Sequence, residues 1–146
     1  MTAVDTNLLI FAFHETAPEN CRARSLLASV QRSPGGWGMA VTSVAEFWCV
    51  ATRTPAGRAA MASDITQAEA FIRALLRSGG LVWETQARFA ERLLDVALRG
   101  NVSGKRIYDL QIALAARDNG ATEIWTYDRN FATVPGLKVV NPLARS

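Results

Sequence analysis

Short apolar runs alternate with helix-patterned segments along the whole of this 146-residue chain. That alternation restricts it to an α/β architecture on a parallel sheet. "TAVD" predicts a first strand, and "TNLLIFAF" the start of a helix behind it. "APENCRARSLLASVQR" sets Cys21, Leu26, Leu27 and Val30 at helical spacing, with Pro18 suited to a first turn. "SPGGWG" breaks the chain before a second strand, "MAVT", and a helix, "SVAEFWCVAT". "TPAGRAAMAS" reads as a loop or a short helix. Thr66 to Leu76 is helical, with Glu69 placed to close a capping box on Thr66, and Gly79 and Gly80 end it. "LVW" is a third strand, followed by an amphipathic helix, "TQARFAERLLDVALRG", closed by Gly100. After the polar loop "NVSGKR" comes a helix, "IYDLQIALAARDNG", stopped by Gly120. "EIWTY" and "LKVVN" are the fourth and fifth strands.

No repeat, low-complexity tract or long linker divides the chain, so one domain over residues 1–146 is expected. No apolar run reaches the roughly 20 residues needed to cross a bilayer. The N-terminus lacks the basic-then-apolar layout of a signal peptide, so a cytoplasmic protein with no membrane partner is expected. Two cysteines, Cys21 and Cys49, make neither a disulfide framework nor a zinc site, and Cys49 is expected in the core. The single histidine, His14, excludes two-histidine acid–base chemistry and a histidine-rich zinc site. No "GxSxG" elbow accompanies it. A net charge of +3 is too small to argue for a nucleic-acid partner by itself.

Four acids stand out by position. Asp5 ends the first strand and Asp128 follows the fourth, in "IWTYDRNF". Glu46 opens the helix after strand two, and Asp109 opens the helix leading into strand four. Strand ends and the first turns of the helices that follow lie at one end of an open α/β sheet, so all four carboxylates can converge there. Each has a structural alternative. Ser43 and Glu46 fit a capping box, Asp109 suits a helix N-terminus, and Asp128 suits a turn in "YDRN". Yet Asp109 shares a helical stripe with Ile112, Ala113 and Ala116, which turns it inward. Asp5 stands between apolar runs, where it must cap something or meet a positive charge. Four carboxylates at one sheet end repel one another, and an oxygen-rich pocket without histidine or cysteine suits a hard cation such as Mg²⁺ or Mn²⁺.

At these residues the sequence resembles the PIN-domain ribonucleases, and more narrowly the VapC-type toxins of bacterial toxin–antitoxin pairs. "VDTNLLI" looks like the family's opening motif, and "PGGWG" with the helix ending in "TRTP" is similar to the middle of many VapC chains. "GKRIYDLQIALAARDNGA" and "IWTYDRNFATVPGLKVVNP" resemble the third and fourth motifs in order and spacing. The resemblance implies a three-layer α/β/α fold with a five-stranded parallel sheet. It implies an endoribonuclease using Mg²⁺ or Mn²⁺ on tRNA or rRNA, an antitoxin partner and a homodimer. Asp5, Glu46, Asp109 and Asp128 take the acidic positions, with Asp5, Asp109 and Glu46 on the metal. Thr126 matches the family's threonine, and Asn7 and Ser43 match supporting positions. Relatives carry a further acid where this chain has Asn130. Lys105 and Arg106, beside Asp109, are candidate phosphate contacts. Trp37, Phe47 and Trp48 are either core residues or the lining of an antitoxin groove.

Two rivals were set against this expectation. A phospho-receiver domain needs adjacent acids after strand one, and here Thr6 follows Asp5. A degenerate PIN module would bind RNA or protein without cutting; the presence of all four acids argues against it.

Overall fold

Along the strands, successive side chains enter two different apolar layers, as the two-residue repeat of a strand requires. The computed structural model describes residues 1–53 and 62–142. Five short strands, β1 (Thr2–Val4), β2 (Trp37–Ala40), β3 (Leu81–Trp83), β4 (Glu123–Trp125) and β5 (Lys138–Val140), form one sheet in the order β3-β2-β1-β4-β5. Every neighbouring pair is parallel. Six helices flank the sheet: α1 (Thr6–Phe13), α2 (Asn20–Gln31), α3 (Val41–Ala51), α4 (Ala62–Arg77), α5 (Phe89–Arg99) and α6 (Arg106–Asp118). Ala3, Ala40, Trp83 and Ile124 pack towards α5 and α6. Val4, Trp37, Met39 and Trp125 pack towards α1 to α4. The expected three-layer α/β/α fold with a five-stranded parallel sheet is therefore the fold observed.

Strand order reverses between β1 and β4, the place where ligands bind in open α/β sheets. Two glycines admit indoles into the sheet layers. A Cβ on Gly38 would stand 2.6 Å from the Trp83 ring, and one on Gly80 would stand 2.6 Å from the Trp37 ring. These approaches carry β2 two residues further back than "MAVT" predicts, because Trp37 needs the space at Gly80 and is only 2% exposed. α3 accordingly starts at Val41, not Ser43.

Three further helix starts differ from expectation by several residues. α2 begins at Asn20, with Pro18 in the preceding turns instead of its first turn. Asn20 is buried because its amide donates to the Phe11 and Ala12 carbonyls, which ties the α1 end to the α2 start. α4 already runs from Ala62 with Asp64 in its first turn, so Thr66 is interior and no capping box forms; Glu69 pairs with Arg73 one turn on. α5 begins at Phe89, because Arg88 adopts a left-handed conformation (φ 56°) that a helix cannot include. The stretch "TPAGRAAM" lies outside the described residues.

Candidate active site

Asp5 answers its own puzzle in part by capping α1. Its Oδ1 accepts from the Thr6 backbone N–H at 2.7 Å. Its Oδ2 accepts from Thr126 Oγ1 at 2.6 Å and Asn7 Nδ2 at 2.8 Å. Every donor is neutral. Asp5 is only 6% exposed, and burial pushes its carboxyl up to about 6 from 3.8, against the pull of the Thr126 and Thr6 hydrogen bonds. The nearby acids Asp109 and Glu46 push in the same direction as burial.

Around Asp5 the β1 and β4 ends are knitted together. Thr126, 1% exposed, donates to Asp5 and accepts from Asn7 Nδ2 (2.9 Å) and the Asp128 N–H (3.0 Å). Asn7 Oδ1 accepts from the Tyr127 N–H at 3.1 Å. Thr126 and Asn7 thus hold Asp5 and the chain leading to Asp128 in one hydrogen-bonded unit. Glu46 is fixed from α1, where Thr6 Oγ1 donates to its Oε2 at 2.7 Å. The capping-box explanation of Glu46 fails, since Ala40 occupies the N-cap of α3 and Ser43 lies inside the helix. Ser43 is fully buried with its Oγ unpartnered among the described residues, and it does not line the cavity that the acids share.

Asp109 projects from the first turn of α6 and accepts from the Ala132 N–H at 3.3 Å. Burial is the largest influence on it and raises its pKa; Asp128 adds to the rise, while Arg106 and Lys105 oppose it. Asp128 Oδ1 accepts from the Asn130 N–H at 2.8 Å, so Asn130 shapes the turn by its backbone. Arg106 donates to the Asn130 carbonyl, and both Lys105 and Arg106 are exposed beside the site.

The four acids, Asp5, Glu46, Asp109 and Asp128, line one cavity of about 400 Å³, together with Thr6, Asn7, Ile10, Cys49, Val50 and Arg53. Sequence position singles out the acids and Asn7 but not Ile10, Cys49, Val50 or Arg53. Cys49 and Val50 carry a helical-spacing signal, because they share the face of α3 that carries Glu46, whereas Arg53 lies two residues past the end of that helix. Cys49 is exposed on the wall of this cavity, not in the core. Trp37 and Phe47 are core residues, while Trp48 is 40% exposed. His14 lies elsewhere, on a second cavity with Glu15, Arg24 and Asp64.

The four acids offer only oxygen donors, which suits a hard divalent cation, but contrary to expectation a cysteine, Cys49, shares the cavity wall with them. Among the described residues no three acidic, histidine or cysteine side chains stand close enough to hold one ion jointly. An ion that keeps much of its water and is held by one or two carboxylates does not require such a cluster. Asp5, Asp109 and Glu46 are the groups available to it.

The fold is that of the VapC-type PIN-domain toxins. The chain is similar to Mycobacterium tuberculosis VapC20, described as a sarcin–ricin loop cleaving toxin, at 17% identity and a TM-score of 0.67, over 90% of this chain and 92% of that one. It is also similar to FitAcB from Neisseria gonorrhoeae, at 18% identity and a TM-score of 0.68, over 98% and 99% of the two chains. VapBC2 from Rickettsia felis, bound to a DNA fragment from their promoter, matches at 18% identity and a TM-score of 0.62, over 96% and 97%. No protein-family model matches the sequence, and no curated protein matches it either. No helix among the described residues is long and apolar enough to cross a membrane.

Proposed function

We propose that this chain, a single PIN domain over residues 1–146, is a divalent-metal-dependent endoribonuclease and the toxin of a toxin–antitoxin pair. The observation that carries this is the delivery of four carboxylates, from four separate chain segments, to one cavity where strand order reverses. Mg²⁺ or Mn²⁺, bound by Asp5 and Asp109 with Glu46 directly or through water, would polarise the phosphate and lower the pKa of a water. The protein's part is placement. Thr126, Asn7 and the Thr6 N–H hold Asp5 with both oxygens committed in a fixed direction. Thr6 positions Glu46, and the Ala132 N–H positions Asp109. Asp128, one oxygen held by the Asn130 N–H, orients the attacking water and takes up its proton. The water oxygen bonds to phosphorus as the bond to the 3′-oxygen breaks, and the leaving 3′-oxygen takes a proton from solvent. The products are a 3′-hydroxyl and a 5′-phosphate. Lys105 and Arg106 at the rim suit phosphates flanking the cut.

Cleavage of the sarcin–ricin loop by the similar VapC20 favours a structured RNA, rRNA or tRNA, as substrate. The resemblance to VapC toxins supports an antitoxin partner and a homodimer, acting in the cytoplasm. The deciding experiment is cleavage of total cellular RNA by antitoxin-free protein with Mn²⁺, with EDTA, and with Asp5→Asn. Cutting that needs both metal and Asp5, with 5′-phosphates on the fragments, supports the nuclease; full cutting by Asp5→Asn would falsify the assignment. A PIN-fold module that binds RNA or protein without cutting draws support from the separation of the acids. Titration calorimetry distinguishes it, because such a scaffold takes up no stoichiometric Mn²⁺.

A further inference from the structure

The acids form only part of the lining of their cavity. The rest is a trough between α1 and α3, walled by Asn7 and Ile10 on one side and by Cys49, Val50 and Arg53 on the other. Ile10 and Val50 give it an apolar part, and Arg53, just past the end of α3, gives it a cation. Val50 lies one turn beyond Glu46 on α3, and Arg53 follows two residues past the end of that helix at Ala51.

Arg53 has no structural task that accounts for this placement. It is exposed, and among the described residues it forms no ion pair; its Nη2 lies 4.0 Å from Cys49 Sγ. The other arginines with tight contacts are engaged elsewhere, Arg92 with Asp118, Arg73 with Glu69 and Arg88 with Glu91. A polyanion entering a pocket of four carboxylates is repelled, and a guanidinium in the cavity lining offsets that while offering a two-pronged phosphate contact. Apolar side chains alongside an acid cluster and an arginine match the alternation of base and phosphate along a nucleic-acid strand. At about 400 Å³ the cavity is at the small end of ligand pockets, fitting a nucleotide and not a helix.

We propose that the α1–α3 trough seats the nucleotide adjoining the cut linkage, its base against Ile10 and Val50 and its phosphate on Arg53. This rests on the ribonuclease function proposed above and makes Arg53 a substrate-binding residue. The strand would pass from the Lys105–Arg106 rim, over the acids, to Arg53.

The test is binding of a labelled single-stranded oligoribonucleotide to the Asp5→Asn chain, with magnesium present, across a salt series. Adding Arg53→Ala is expected to weaken binding about fivefold and to reduce the slope of log K against log salt by about 0.7, the share of one phosphate contact on a single strand. Arg53→Lys keeps the slope. Val50→Ser weakens binding about threefold at an unchanged slope, and Arg99→Ala, outside the cavity, changes neither quantity. Arg53→Gln repeats the charge loss with most of the stem retained, in case the alanine variant folds poorly. An Arg53→Ala or Arg53→Gln chain with unaltered slope and affinity overturns the proposal. So does an equal loss in Arg99→Ala, which would mark unlocalised charge, or no RNA binding at low salt, which would leave the trough to a protein partner. Cleavage by the unaltered chain is read separately. RNA held through Arg53 by a chain that never cuts sinks the nuclease alone, and cutting with Arg53 dispensable sinks this proposal alone.

Discussion

Asp5 and Asp118 are both largely buried carboxylates, and they are satisfied in opposite ways. The Asp118 side chain, 8% exposed, receives Arg92 at 2.6 Å and Arg117 at 3.4 Å. Its charge is cancelled inside the fold. Asp5 is buried to a similar degree and receives three hydrogen bonds, all from neutral groups, with two further acids nearby. Its orientation is fixed and its charge is not cancelled. A buried acid whose direction is fixed by neutral donors, with a lone pair still open on Oδ1 and its charge uncompensated, suits a cation from outside, whereas one clasped by arginine is finished architecture.

The largest expected effect that bears on this contrast is catalytic. Asp5→Asn should lower RNA cleavage by on the order of 100-fold or more, read as initial rates with Mn²⁺. Arg92→Ala should leave the rate unchanged, and a loss in both would erase the distinction.

The second is a pH effect of defined sign. The Asp5 carboxyl takes up its proton near pH 6 in the folded chain and near 3.8 when unfolded. Protonation therefore favours the fold. Metal-free protein should gain stability from Asp5 as pH falls from 7 through 6 towards 4, by about 3 kcal/mol in full. The contribution is complete below the unfolded value and lost as pH rises through the folded one. Denaturant melts at pH 7 and pH 5 should show the gain, Asp5→Asn should lack it, and Mn²⁺ should reduce it by holding the charged form. An equal slope in both chains would show that other groups carry the dependence.

Smaller still is Thr126→Val, which removes a donor from Asp5 and an acceptor from both Asn7 and the Asp128 N–H. About 1–3 kcal/mol of stability should go, with a roughly tenfold fall in cleavage, because the neighbours are left unpaired. Thr126→Ser should recover most of both. The smallest effect belongs to Arg92→Ala, whose side chain is 36% exposed; a drop of a few degrees in melting temperature is expected, measured by calorimetry at pH 7.

The framework was readable because strand ends and first helical turns are set by local pattern. Asp5, Glu46, Asp109 and Asp128 each occupy such a place, and the cavity unites them. What local pattern could not supply was tertiary. Trp37 belongs to β2 only because Gly80, remote in sequence, leaves room for its ring. Thr66 looked like a cap until Asp64 and the preceding residues joined the same helix. Cys49 has the apolar neighbours of a core residue, but its angular position on α3 matches Glu46 and Val50, not Phe47 and Ala51. Arg53 itself carries no local mark. Only the groove it borders gives it meaning.

The two glycine–tryptophan contacts have a bearing on how this sequence can change. Gly38 faces the Trp83 ring and Gly80 the Trp37 ring, each at a separation no Cβ tolerates. Alanine at either glycine forces an indole to move, and losing an indole opens a void that alanine alone does not fill. Each pair is thus a joint variable: a drift at one member is viable chiefly when the other has already shifted. Trp37 and Trp83 sit on strands two and three, so these paired constraints fall on the half of the sheet away from β4 and β5. Divergence is therefore freest along the far edge and most tightly coupled here, which gives engineers two positions to alter together or leave alone.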